Sequence, residues 1–216
     1  MADTQRVPLD SDATGVTLAV YHGKDGLGAL PALWSQLVEA LPAKRFFHLH
    51  AWYQSYLESL ETDPSSLSFY VLFRGERPVA LFPLKRVTRN VCRFELRSLE
   101  LPVHDHLNLS DFVFEKTEEN AGLLRLLVLH LQRSPETPWD IMYLSNVLED
   151  SAAAYALEKA APPMALSYYQ RKSNYVDCSL SYEDFLKNVD GHFRRNLGRL
   201  TRRVQQLGEL QFHSYR

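Results

Sequence analysis

Between residues 67 and 99 the chain carries three strand-forming runs in close succession, and this stretch sets the fold class. Leu67 to Arg74, Pro78 to Val87 and Val91 to Leu99 are rich in aliphatic and aromatic side chains, which pack well on a pleated surface. Arg74-Gly75-Glu76-Arg77 joins the first two runs as a hairpin, because glycine supplies the positive φ that a tight turn requires. The pattern predicts an antiparallel meander. Pro83 lies inside the second run and cannot donate to a ladder, which places that strand at an edge or a bulge. Helical segments flank the meander on both sides, without the strict alternation of a doubly wound sheet. The expected class is α/β in the mixed (α+β) sense, a mixed sheet with flanking helices.

The remaining segments fill in that layout. Val16 to Tyr21 reads as a first strand and His22-Gly23-Lys24-Asp25-Gly26 as a turn. A helix is expected from Leu27 to Leu41, with Leu30, Leu33, Trp34, Leu37 and Leu41 on one side and Pro31 tolerated in its first turn. Phe46-Phe47 forms an apolar plug before a short aromatic helix from Ala51 to Leu60. Further on, the pattern predicts a short strand at Leu109 to Phe114 and a helix over Glu118 to Gln132. A buried strand at Asp140 to Leu144 and a helix over Ser151 to Ala160 follow. Pro162-Pro163 then breaks the chain before two extended runs, Leu166 to Gln170 and Asn174 to Cys178.

The C-terminal stretch from Ser181 has a different character. Phe193, Leu197, Leu200, Val204 and Leu207 recur at steps of four, three, four and three, the period of one buried helical stripe. Arg194, Arg195, Arg199, Arg202 and Arg203 occupy the other faces, and no acidic residue lies between Gly191 and Val204. Ser181 with Asp184 forms a capping-box start and Gly208 a stop, so one long basic helix is expected. Leu210, Phe212 and Ser214 then alternate with Gln211, His213 and Tyr215 as a beginning strand.

The net charge of −2, from 24 basic and 26 acidic residues, makes this basic helix a local contrast and not part of a general trend toward nucleic acid or anionic membrane. Cys92 and Cys178 are too few for a disulfide scaffold and fit a reducing compartment. Both fall in expected strands and read as small core residues. The polar Met1 to Asp12 carries no signal peptide, and the longest apolar run, Leu123 to Leu131, is too short to span a bilayer. A cytoplasmic protein is expected.

No nucleophile elbow, P-loop or kinase signature is present. Gly23, Gly26 and Gly28 lie between strand and helix, but their spacing matches neither the Walker nor the dinucleotide pattern, and a tight turn is the better reading. His48-Leu49-His50 and His104-Asp105-His106 place imidazoles two apart without a recognised third ligand, so no metal is assigned. The second pair sits in His-Asp-His-Leu-Asn, which reads either as a solvated loop or as a cleft lining. The arginine-rich helix has three readings. It is a solvated amphipathic face, a guanidinium site for phosphate or carboxylate or, last, a nucleic-acid contact, for which interleaved aromatics and a second basic patch are missing.

The order of features resembles a known family. Phe46-Phe47-His48-Leu49-His50-Ala51-Trp52 leads into an aromatic helix, followed by Val79-Ala80-Leu81-Phe82-Pro83-Leu84 in a strand. Much later come Phe193-Arg194-Arg195-Asn196-Leu197-Gly198-Arg199-Leu200 and Leu207-Gly208-Glu209-Leu210-Gln211-Phe212. This layout resembles the N-terminal half of the GNAT-type acyltransferases associated with cellulose biosynthesis, the CelD-like group, themselves similar in layout to the Fem-type aminoacyltransferases. The resemblance implies a flexible 1–15, a GNAT-like domain over 16–180, and a linker helix with the start of a second GNAT-like half over 181–216. It implies transfer from acetyl-CoA or another acyl-CoA to an amine, with the donor site in the second half and no cofactor held by this chain. The pyrophosphate loop of such enzymes has the form Gln/Arg-x-x-Gly-x-Gly/Ala. The nearest match, Gly23-Lys24-Asp25-Gly26-Leu27-Gly28, lacks the leading residue. The residues expected to bind an anionic substrate are Arg194, Arg195, Asn196 and Arg199, with His104, Asp105 and His106 at the cleft. The catalytic group is unassigned. Expected partners are a small-molecule or anionic substrate, with a second copy or a missing C-terminal half covering the final strand, and no nucleic acid. The alternative is a non-catalytic module that docks an acidic partner through the arginine-rich helix.

Overall fold

The computed structural model describes residues 6–9, 15–104, 109–160, 179–208 and 211. The chain divides into two compact units, Met1–Tyr168 and Tyr169–Arg216, each taken here on its own.

The first unit is built on a six-stranded sheet in the order β1-β2-β3-β4-β5-β6. The strands are β1 (Val7–Pro8), β2 (Val16–His22), β3 (Leu67–Arg74), β4 (Arg77–Val91), β5 (Phe94–Glu100) and β6 (Ile141–Tyr143). Neighbours are antiparallel from β1 to β5, and β5 pairs with β6 in parallel. A parallel pair needs a crossover, and the helix α4 (Leu123–Arg133) lies on that connection. Helices α1 (Gly23–Gly28), α2 (Pro31–Glu39) and α3 (His50–Ser59) lie between β2 and β3, and α5 (Ala152–Ala160) follows β6. This is the mixed sheet with flanking helices that the sequence predicts.

Period-two alternation sends the strands' side chains into two cores. Tyr70, Leu72, Ala80, Phe82 and Leu84 pack with Leu124, Leu127, Leu131 and Ala153 from α4 and α5. Phe69, Val71, Phe73 and Leu81 face the other way, against Leu27, Trp34, Leu37, Tyr53 and Leu57 from α1, α2 and α3. Strand β3 is buried along nearly its whole length, which explains why it reads as a continuous apolar run and not an alternating one.

Several boundaries differ from the sequence expectation. Pro83 lies in an interior strand, pairs with Phe69, and has no bulge beside it; the register shift falls at Leu72 and Phe73. Leu81 exchanges hydrogen bonds of 2.9 Å in both directions with Val113 on the side away from β3. Two residues on, Pro83 faces that same side, and pairing with β5 starts only at Lys85 with Glu100. The missing N–H falls in the gap between two partners, so no ladder bond is lost. Residues 109–114 contribute only this bridge and no strand. The expected helix over 27–41 is two helices, and residues 23–28 are helical and not a simple turn. The helix expected from Glu118 is a short 3-10 turn, Glu118–Asn120, ahead of α4.

Cys92 is exposed and not a core residue. It forms a two-residue turn with Arg93 between β4 and β5, and both have positive φ, 49° and 73°. Cys178 and the runs at 166–178 lie outside the described residues.

In the second unit the expected single helix is two, α6 (Tyr182–Asn188) and α7 (Gly191–Gln205). Ser181 caps α6 by accepting the Asp184 N–H, as the capping-box reading predicts. Asp190 restarts the chain, its carboxylate accepting the N–H groups of His192 at 2.7 Å and Phe193 at 3.1 Å. An aspartate with two such amides is a strong N-cap, which is why the helix breaks there. The apolar stripe of α7 is not buried: Phe193, Leu200, Val204 and Leu207 are 46, 45, 41 and 87% exposed. The alternating run after Gly208 lies almost entirely outside the described residues. No helix among the described residues is long and apolar enough to cross a membrane.

Candidate functional site

Helix α7 holds all five arginines that the sequence singles out. A residue advances about 100° round an α-helix, so Arg195, Arg199, Arg202 and Arg203 of α7 share one face. The apolar stripe runs roughly opposite. None of these four arginines forms an ion pair among the described residues. Asn196 supports the face, its Oδ1 accepting a hydrogen bond of 2.8 Å from Arg199. Guanidinium groups with free donors are suited to carboxylate and phosphate oxygens. Arg194 is turned to another task. It donates to the carbonyls of Lys187 and Val189 at 3.2 and 3.1 Å, satisfying acceptors left open at the end of α6. The structure thus joins Arg195, Asn196 and Arg199 and removes Arg194 from the group.

His104 is part-buried in the first unit. Asp105 and His106 lie outside the described residues.

The other histidine pair is consumed by the fold. His48 is 6% exposed and Asp111 1%. His48 Nδ1 accepts the Arg45 N–H at 3.3 Å and its Nε2–H donates to Asp111 Oδ2 at 3.3 Å. The Asp111 carboxylate also accepts the N–H groups of Phe112, Ala152 and Ala153 at 2.8, 2.9 and 2.7 Å, so it caps α5 from a distant segment. Beside it, the Tyr53 hydroxyl lies 3.4 Å from Ser110 Oγ, and burial pushes its phenol well above the usual value. His50 donates from Nε2 to the Leu27 carbonyl at 2.9 Å and sits edge-on to Trp34. The His48 ring thus ties the segment before α3 to Asp111, and the His50 ring ties α3 to the end of α1. The signal for this network was an aspartate set in the apolar run 109–114, since a buried charge demands partners.

A second buried anion, Glu61, has a side chain only 2% exposed. Burial pushes its carboxyl up, but hydrogen bonds from Lys85, Tyr56 and the Asp63 N–H outweigh that and hold it below the usual range.

Among the described residues of the first unit, the starts of α4 and α5 and the glycine loop are poorly suited to an acyl-CoA pyrophosphate. The opening amides of α5 already hold Asp111. Glu118 and Glu119 stand just ahead of α4 and are paired with Lys159 and Arg74 at 3.7 and 2.8 Å. The glycine loop packs the chain: a Cβ on Gly26 would come within 2.7 Å of the Tyr21 carbonyl carbon. The hollow beside that loop, about 390 Å³, is lined by Asp25 and Asp63 as well as Lys24. Among the described residues, no group of three or more His, Cys, Asp or Glu side chains is placed to hold a metal ion.

No family model and no curated protein matches the chain. Among solved structures, a ribosomal-protein-alanine N-acetyltransferase from Brucella melitensis biovar Abortus 2308 is similar, with a TM-score of 0.39 and 16% identity. That match covers 73% of this chain and 99% of the other. An aminoglycoside acetyltransferase, meta-AAC0020, from an uncultured soil metagenomic sample is similar with a TM-score of 0.41 and 12% identity, covering 75% of this chain and 97% of that one.

Proposed function

We propose that this chain is the N-terminal portion of an acyl-CoA-dependent N-acyltransferase whose donor site lies in a second GNAT-like half. The observation that carries the reading is α7, where Arg195, Asn196 and Arg199 form an open, acid-free anion face. The mixed sheet with flanking helices is the class that the CelD-like resemblance implies. The start of α5, filled by Asp111, and the packed glycine loop support a donor site elsewhere. In this reading the α7 face orients an anionic acceptor, and the gain comes from positioning and not from a covalent nucleophile. The setting is cytoplasmic.

Thermal unfolding with saturating acetyl-CoA is the first test, because a ligand bound to the native state alone must raise the midpoint. No rise is expected for these 216 residues. In an assembly with a donor-binding half, Arg195→Ala with Arg199→Ala is expected to raise the acceptor KM about tenfold or more, the loss of roughly 1.4 kcal/mol in binding. A raised midpoint for this chain alone, or an unchanged KM, would reject the reading.

The exposed stripe beside arginines that form no ion pair among the described residues also favours a second reading, a non-catalytic module docking an acidic partner. That interaction would weaken steeply with salt, and a salt-insensitive complex would exclude it.

A further inference from the structure

We propose that α7 is a peripheral docking helix for an anionic lipid bilayer. This goes beyond acyl transfer and does not depend on it. The helix has the two surfaces that such a role requires. Along one side run Phe193, Leu197, Leu200 and Val204, three of them more than 40% exposed, which is the apolar face that enters the headgroup boundary. Round the rest lie Arg195, Arg199, Arg202 and Arg203, with no acidic side chain anywhere in α7. Arg203 flanks the stripe at about 90° from its centre. From there its long guanidinium stem can reach headgroup phosphates while the stripe is submerged.

The charge pattern selects the partner. A basic amphipathic helix of this kind is suited to a membrane surface. Here the field has one sign over all of α7. It complements a continuous anionic surface, to which each basic group near the interface adds attraction. Self-association is the poorer fit, since the stripe covers about two heptads where a coiled coil needs three or four. The first turn of α6 carries Glu183 and Asp184 as well as Tyr182, 64% exposed, next to Leu180, 43% exposed. An aromatic ring with a polar tip is suited to the water–lipid boundary.

The test is vesicle flotation of the full chain, with phosphatidylcholine vesicles compared with vesicles containing about 30 mol% phosphatidylglycerol at low salt. Binding at least about tenfold stronger to the anionic vesicles is expected. Leu200→Ser with Val204→Ser should reduce it about tenfold, and Arg202→Gln with Arg203→Gln several-fold. These side chains are exposed, so an unchanged melting temperature will show that the variants remain folded. Arg195 and Arg199 stay intact, which separates this result from that of the acyl-transfer assays. No binding to anionic vesicles at low salt overturns the proposal and assigns the stripe to a protein surface. Binding unaffected by the Leu200 and Val204 changes overturns it too, because the arginines would then be holding any polyanion, soluble acidic protein included.

Discussion

Asp111 is an anion of the protein's own placed where a bound anion would otherwise sit. Three backbone amides and the His48 ring converge on a carboxylate that is 1% exposed. Asp111→Ala would strand all four donors in a dry interior, so a loss of about 3 kcal/mol is expected in urea unfolding. His48→Ala should cost less, and the double variant less than the sum, because both members serve one network. A surface acid behaves differently. Asp140 receives two side-chain hydrogen bonds and one backbone hydrogen bond from Arg97, and Arg97 holds its carboxyl down to about 2 from a usual 3.8. A depressed folded-state pKa stabilises above the unfolded value and is lost as pH falls through the folded one. The melting-temperature gap between wild type and Asp140→Asn should therefore be constant above about pH 5 and close progressively between about pH 5 and 1. A gap that persists undiminished at about pH 1 would break the assignment. Residues of this kind were hard to read in advance. His48 and Asp111 are 63 positions apart, and nothing local in sequence pairs them.

Elements were more legible than their ends. Strands β3, β4 and β5 follow from side-chain type, and the Gly75 turn from its positive φ of 57°. The second turn carries no sequence signal, because Cys92 and Arg93 are not turn formers, yet both adopt left-handed backbone. A two-residue hairpin that matches sheet twist requires this of its central residues and favours Asn-Gly there. Cys92→Asn with Arg93→Gly should thus raise stability by about 1 kcal/mol. Unchanged or reduced stability in urea would mean that the two side chains contribute contacts outweighing the backbone strain. The break between α1 and α2 was equally hidden. Leu30 fits the helical stripe, but it is fully buried and serves as the N-cap of α2 ahead of Pro31. Tertiary packing and the proline decided what periodicity alone left continuous.

At the scale of the molecule, apolar side chains have two unequal roles, which sequence periodicity cannot tell apart. Helices α4 and α7 both present stripes at helical spacing. The α4 stripe closes on the sheet, with Leu127 fully buried and Leu124 and Leu131 at 2% exposure. The α7 stripe stays open to solvent. Burial, not pattern, sets the energetic value of a leucine. Leu127→Ala leaves a cavity among α4, α5 and the sheet and should cost about 2–5 kcal/mol. Leu200→Ser with Val204→Ser removes side chains already 45 and 41% exposed and should shift the midpoint of this chain by no more than about 0.5 kcal/mol. Urea unfolding of the three proteins side by side decides it. A large loss from the α7 pair would show that its stripe is covered within the chain in solution, and would remove the free surface on which both the docking reading and the bilayer proposal stand. Equal stability with altered association would show a helix whose apolar face acts on a partner and contributes little to the fold that carries it.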